Sequence, residues 1–162
     1  MLIRHAIAED APLLTVIATQ AKGYWGYAAE QLAAWRSQLT ITAERIATSP
    51  VYVCELDANL IGFYSFAISA AGWELDNLWV HPAYVRQGIG RALLQHAAKI
   101  AASDGIDHIA IDADPHAEAF YLACGAHRVG AVAAPIAADP QRQRPQLALP
   151  TAAALISTSH GA

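Results

Sequence analysis

Positive charge is scarce in this chain. Its 162 residues hold 10 Lys and Arg against 14 Asp and Glu, a net charge of −4 with a sequence pI near 5.9. Binding along a phosphate backbone needs a basic face, so nucleic acid is not expected as a partner. Cysteine is scarcer still. Cys54 and Cys124 stand far apart with no C-x-x-C, which excludes a disulfide framework and any cysteine-based zinc motif; no metal is called for. No apolar run approaches the ~20 residues of a membrane-spanning helix, so no membrane partner is expected. No signal-peptide pattern precedes Ile3-Arg4-His5, and with unpaired cysteines the expected location is cytoplasmic. Charged residues make up only 15% of the chain, which leaves a homodimer open.

What is present is apolar: 55% of the residues are hydrophobic, much of that share alanine. A chain of this length buries roughly 68–70% of its unfolded surface, enough for one core. Residues 1–149 are expected to form one domain, with 150–162 a partly disordered C-terminal tail.

Leu2–Ile7 reads as an opening strand, with Asp10 an N-cap before Pro12 and a helix carrying Leu13, Leu14, Ile17, Ala18 and Ala21 at helical spacing. Glu30 to Leu39 reads as a second helix, and Thr42-Ala43-Glu44-Arg45 as the cap of a third. The period then switches to strands: 51–56 and 60–68 around the hairpin turn Asp57-Ala58-Asn59, then 73–80. A helix from Ile89 to Asp104-Gly105, a buried strand at 108–112 and a helix from Pro115 to Cys124 follow. Two last strands, around 127–130 and 147–149, flank a proline-rich stretch. The order describes an α/β domain: a mixed, mostly antiparallel sheet of about 6–7 strands with helices on both faces.

The stretch Val85-Arg86-Gln87-Gly88-Ile89-Gly90-Arg91 joins a strand to the first turn of a helix. Free N–H groups, glycines that admit a ligand to the backbone, and two guanidinium groups make a seat for a phosphate-bearing ligand. A dinucleotide fingerprint would need a third glycine where Leu93 stands, and no Gly-Lys-Ser or Gly-Lys-Thr of a P-loop is present.

The stretch resembles the acyl-CoA loop of the GCN5-related N-acetyltransferases, (Gln or Arg)-x-x-Gly-x-(Gly or Ala), with Val85 in place of the first polar residue. A second stretch, Asp114-Pro115-His116-Ala117-Glu118-Ala119-Phe120-Tyr121-Leu122-Ala123-Cys124-Gly125, is similar to that family's later helix, Asp114 standing for the usual Asn. The resemblance implies transfer of an acetyl group from acetyl-CoA, as co-substrate, to a primary amine of a small molecule or peptide, by direct attack in a ternary complex.

On that resemblance, the CoA pyrophosphate falls to Arg86, Gln87, Gly88, Ile89, Gly90 and Arg91, and the thioester carbonyl to a backbone N–H near Leu78, Trp79 and Val80. Asp114, Ala117 and Phe120 join the cofactor-binding set, Phe120 reading more as a core residue than as a site residue. Glu74 is the preferred base for the attacking amine, with Asp76 on the same strand face as its substitute and His81 and His116 behind them. Tyr121 matches the family tyrosine that protonates the departing thiolate. Four aromatics, Tyr24, Trp25, Tyr27 and Trp35, are candidates for the acceptor wall, suited to an apolar body or to a cation over a ring face. The competing reading is a non-catalytic acyl-CoA-binding module of the same fold, which would need neither Glu74 nor Tyr121.

Overall fold

A computed structural model describes residues 1–152. Its elements run β1 (Leu2–His5), α1 (Ala11–Gly23), α2 (Ala29–Ala34), α3 (Arg36–Leu39), α4 (Ala43–Thr48), β2 (Val51–Leu56), β3 (Asn59–Ser69), β4 (Gly72–Val80), α5 (Ile89–Ser103), β5 (His108–Asp112), α6 (Glu118–Ala123), β6 (His127–Ala133) and β7 (Gln143–Pro150). The strands form one mixed seven-stranded sheet in the order β1-β2-β3-β4-β5-β7-β6, flanked by helices. The chain groups into two compact units, Met1–Phe66 with Asn77–Leu93, and Ala67–Asp76 with everything from Leu94 onward.

In the first unit β1 pairs antiparallel with β2, and β2 with β3. The β2–β3 turn is Asp57-Ala58, both at positive φ (49° and 65°). That is the primed two-residue geometry whose twist matches the flanking strands. From Ile61 to Phe66 every residue of β3 is buried, as expected of a strand covered on both faces. Leu14, Ile17 and Ala18 of α1 pack with Leu39, Ile41, Val51, Val53 and Phe63 in one core cluster, against which Trp35, Ile46, Leu60 and Trp79 lie half-buried. Each such large side chain contributes roughly 1.5–3 kcal/mol. Thr15 fastens this layer. Its hydroxyl donates to the Ala11 and Ile41 carbonyls (both 3.2 Å) and accepts from the Ile41 N–H at 2.9 Å.

Two helix expectations change in this unit. Asp10 precedes α1 but lies in the helical region, and its side chain does not cap α1. Its carboxylate instead takes two bonds from Arg4 (2.8 and 3.3 Å) and one from the Ile7 N–H (2.9 Å). An ion pair to a neighbouring strand outcompetes a local cap. The expected helix from Glu30 to Leu39 is broken at Trp35, whose φ of −91° and ψ of 2° separate α2 from α3. Thr42 caps α4 as the pattern indicates, accepting from the Arg45 N–H at 3.1 Å.

In the second unit β4 runs parallel to β5 at Glu74–Ala110 and Leu75–Ile111, and β7 lies antiparallel to both β5 and β6. The strand at 108–112 is not uniformly buried: Ile109 and Ile111 are buried while His108, Ala110 and Asp112 are exposed. Asp112 accepts a forked pair of bonds from Arg144 (2.9 and 3.0 Å) and one from Gln146 (2.9 Å), which holds β7 in register. The last two strands are longer than expected: β6 runs on to Ala133, and β7 starts at Gln143 within the proline-rich stretch. The helix from Pro115 starts as a 3-10 turn, and α6 proper begins at Glu118. Both α5 and α6 end on a glycine at positive φ, Gly105 (75°) and Gly125 (100°). In the expected tail, Thr151 is buried with its N–H on the Asp107 carbonyl at 2.9 Å; residues 153–162 lie outside the described ones. No helix among the described residues is long and apolar enough to cross a membrane.

Candidate functional site

The glycine loop belongs to the first unit. Among the hydrogen bonds that hold it, the His81 N–H reaches the Ile61 carbonyl at 2.8 Å, and Gln87 Nε2 donates to the Ala83 carbonyl at 3.3 Å. His81 Nδ1 accepts from the Ala83 N–H at 3.1 Å, so its ring caps the turn after β4 and is engaged as a structural acceptor. The backbone then changes hand. Val85 has φ −65°, Arg86 +61° and Gly88 +81°. Positive φ at Arg86 and Gly88, two residues apart, gives a turn backbone of the kind that can form an anion-binding concavity. Arg86 is a non-glycine residue held in the left-handed region, where strain of about 1–3 kcal/mol is typical and clusters at ligand sites.

α5 starts directly at Ile89, and its first backbone bond within the turn is Ala92 N–H to Gly88 carbonyl (3.0 Å). Helix geometry therefore leaves the N–H groups of Ile89, Gly90 and Arg91 without an intrahelical acceptor. A Cβ built on Gly88 would meet nothing within 4 Å. The space over the loop is open, and Arg86, Gln87 and Arg91 are exposed around it. This backbone and charge fit a pyrophosphate.

β4 enters the loop through Leu78, Trp79 and Val80, all half-buried. Its position is set by a contact that sequence reasoning missed. A Cβ on Gly62 of β3 would stand 2.9 Å from the Trp79 carbonyl oxygen and 3.1 Å from Leu93 Cδ1. Glycine inside an otherwise apolar strand is the signal for such a close approach. Trp79 is held as well. Its Nε1 donates to Asn77 Oδ1 at 2.8 Å, and the buried Asn77 amide donates to Ser65 Oγ at 2.9 Å.

The four aromatics proposed for the acceptor wall form two edge-to-face pairs, Tyr24–Trp25 (5.7 Å) and Tyr27–Trp35 (4.8 Å). Tyr24 and Trp25 are exposed; Tyr27 and Trp35 are half-buried. The second pair encloses Lys22, whose ammonium lies 4.5 Å from the Trp35 ring centre, 5.1 Å from Tyr27 and 6.0 Å from Trp79. Lys22 was no candidate from sequence, because nothing local announces that three rings from separate segments converge on it.

The second unit holds the carboxylates and the tyrosine. Glu74 and Asp76 alternate with buried Leu75 and Asn77 on β4, so both acids lie on the exposed face, as period-two counting requires. Asp114 caps the turn before α6: Oδ1 takes the His116 N–H and meets His116 Nδ1 (both 2.9 Å), and Oδ2 is 3.5 Å from the buried Arg142 guanidinium. Arg142 also donates to the Ala134 carbonyl at 3.2 Å. Asp114 and His116 are thus bound to each other, and Asp114 also to Arg142, the residue before β7. Ala117 and Phe120 are half-buried on that turn and on α6. Tyr121 is buried, and loss of water, reinforced by the nearby Asp114 charge and by Cys124, raises its hydroxyl pKa well above the usual phenol value. It is a group that keeps its proton. Burial likewise raises the Cys54 thiol, fitting an inert packed cysteine. Among the described residues no group of three or more His, Cys, Asp or Glu could hold a metal ion.

Residues 16–126, more than half of the chain, match the model of the Acetyltransferase (GNAT) family. The chain belongs to that family. This GNAT fold also has close solved counterparts. The PaiA N-acetyltransferase of Thermoplasma acidophilum, in complex with coenzyme A, superposes with a TM-score of 0.75 at 23% identity, covering 92% of this chain and 98% of that one. The ribosomal-protein-S18-alanine N-acetyltransferase of Escherichia coli gives 0.69 at 22% identity, with 92% of each chain covered. An aminoglycoside 6'-N-acetyltransferase complexed with coenzyme A gives 0.66 at 18% identity, covering 93% and 97%. No curated protein sequence matches the chain.

Proposed function

We propose that this GNAT protein is an N-acetyltransferase that moves an acetyl group from acetyl-CoA to a primary amine of a small molecule or peptide. The observation that carries the reading is the loop Val85–Gly88, whose alternating backbone hand, open space over Gly88 and unengaged helix-start donors suit a pyrophosphate. Arg86 and Arg91 add charge at its rim. The backbone N–H groups of Leu78, Trp79 and Val80 are the donors for the negative charge that grows on the thioester oxygen as the amine attacks.

An alkyl amine, with pKa near ~10.4, is mostly protonated at neutral pH and must lose that proton before or during attack. Glu74 takes it, directly or through a water, with Asp76 on the same exposed face as its alternate. As the C–S bond breaks, Tyr121, which burial keeps protonated, gives its hydroxyl proton to the CoA sulfur. Asp114 serves by holding the turn that starts the Tyr121 helix. Tyr27 and Trp35, with Tyr24 and Trp25 outside them, wall the acceptor.

The test is a calorimetric titration with CoA followed by a thiol-release screen over amines, amino acids, polyamines, aminoglycosides and peptide N-termini. Binding with turnover of at least one class is the expected result. Binding without any turnover would leave an acyl-CoA-binding module, and no binding would remove the reading.

A further inference from the structure

The wall residues Tyr27 and Trp35, together with Trp79, make a three-ring box of the kind that recognises an ammonium group. Here the box already holds one. Lys22, in the last turn of α1, reaches all three rings at 4.5–6.0 Å. Tyr27 and Trp35 meet edge to face at 88°, and Trp79 is tied through Asn77 to Ser65. The helix C-terminus also favours a cation at this position. Trp79 belongs to the strand segment whose N–H groups are the proposed thioester donors, so the box and those donors share one segment of β4.

We propose that Lys22 is a specificity-determining residue: its ammonium shuts the aromatic box, so the protein accepts amines with an uncharged body and turns away acceptors that carry a second cation. This rests on the acetyltransferase reading for its consequence in turnover, but the occupancy of the box stands apart from it. A second ammonium entering the box would lose the ring faces to Lys22 and face a like charge at close range. Removing the lysine would leave three ring faces and a cation-sized space.

The experiment pairs binding with turnover. Tetramethylammonium is titrated against tryptophan fluorescence in the wild type, Lys22→Ala, Lys22→Met and the double variant Lys22→Ala/Trp35→Leu, each checked for folding by circular dichroism. Saturable quenching is expected only in Lys22→Ala, since methionine refills the box and Trp35→Leu removes its nearest ring. In the thiol-release assay, kcat/KM is compared for butylamine and 1,4-diaminobutane, which differ by one cation at equal chain length. The wild type should favour butylamine, and Lys22→Ala should shift the ratio toward the diamine by roughly tenfold. Lys22→Met, which keeps the packing but loses the charge, should shift it part of the way even if the alanine variant does not fold. No quenching in folded Lys22→Ala, or an unchanged ratio in the variants, would overturn the proposal. Quenching as expected in a protein that neither binds CoA nor releases thiol would leave the box in place and overturn the acetyltransferase reading instead.

Discussion

Alanine at position 62 would place its Cβ 2.9 Å from the Trp79 carbonyl oxygen and 3.1 Å from Leu93 Cδ1. The first partner is backbone and cannot rotate away, so β4 or β3 must move by several tenths of an ångström. Overpacking of this kind costs roughly 1–3 kcal/mol. At ~2–4 °C per kcal/mol for a chain of this size, a mid-range 2 kcal/mol lowers Tm by about 4–8 °C. Gly88→Ala is the internal comparison. Its φ is +81° but nothing lies within 4 Å, so only the left-handed backbone penalises it, by about 1–2 kcal/mol. Gly88→Ala serves as a comparison for stability alone, because Gly88 also belongs to the loop proposed to seat CoA. Displacement at Trp79 and Leu93 moves both ends of the loop, and Gly62→Ala should weaken CoA binding by roughly tenfold or more. Differential scanning calorimetry and CoA titration read both quantities. A Gly62→Ala protein within ~0.5 kcal/mol of wild type, with unchanged CoA affinity, would refute the claim that this glycine sets the strand feeding the loop.

Gly88→Glu fills the open space over the loop with a carboxylate, and CoA binding should vanish in calorimetry while circular dichroism shows a folded protein. Tyr121→Phe should lower turnover by roughly ten- to a hundredfold with little change in acetyl-CoA affinity; full activity would take Tyr121 out of the mechanism. Glu74→Gln should shift the pH–rate profile, and an unmoved profile would transfer the base role to Asp76 or to water. For Asp10, burial alone would raise the carboxyl pKa, but the Arg4 and Ile7 bonds outweigh it and hold the pKa below the usual value. The native state therefore binds that proton less readily than the unfolded chain. This stabilisation is present above the ordinary carboxylate pKa of ~3.9 and disappears as pH falls through the lower folded value. Asp10→Asn should cost about 1–3 kcal/mol in urea unfolding at pH 7 and progressively less as pH falls from ~5 toward 2; a pH-independent difference would contradict the assignment.

Most of the strands and the ends of α5 and α6 were legible because their signals are local. Alternation, a two-residue turn, a capping threonine and a glycine just past a helix are each decided within a few residues. The position of the glycine loop was legible for the same reason: it is one short segment opening one helix. The aromatic segment was legible only in part. Its composition marked a wall but did not show which rings meet or what they enclose.

The sequence by itself determined the element order, the glycine loop from Arg86 to Arg91 that opens α5, and the tyrosine-bearing helix after Asp114. Only the tertiary structure decided that Asp10 serves Arg4 rather than a helix cap, that the helix through Trp35 breaks, that Gly62 makes room for Trp79, and that Lys22 fills the box of Tyr27, Trp35 and Trp79. The physical reason is distance along the chain. A cap or a turn competes only with its neighbours, whereas a close backbone approach or a caged cation is set by segments tens of residues apart, and their meeting depends on the packed sheet that brings them together.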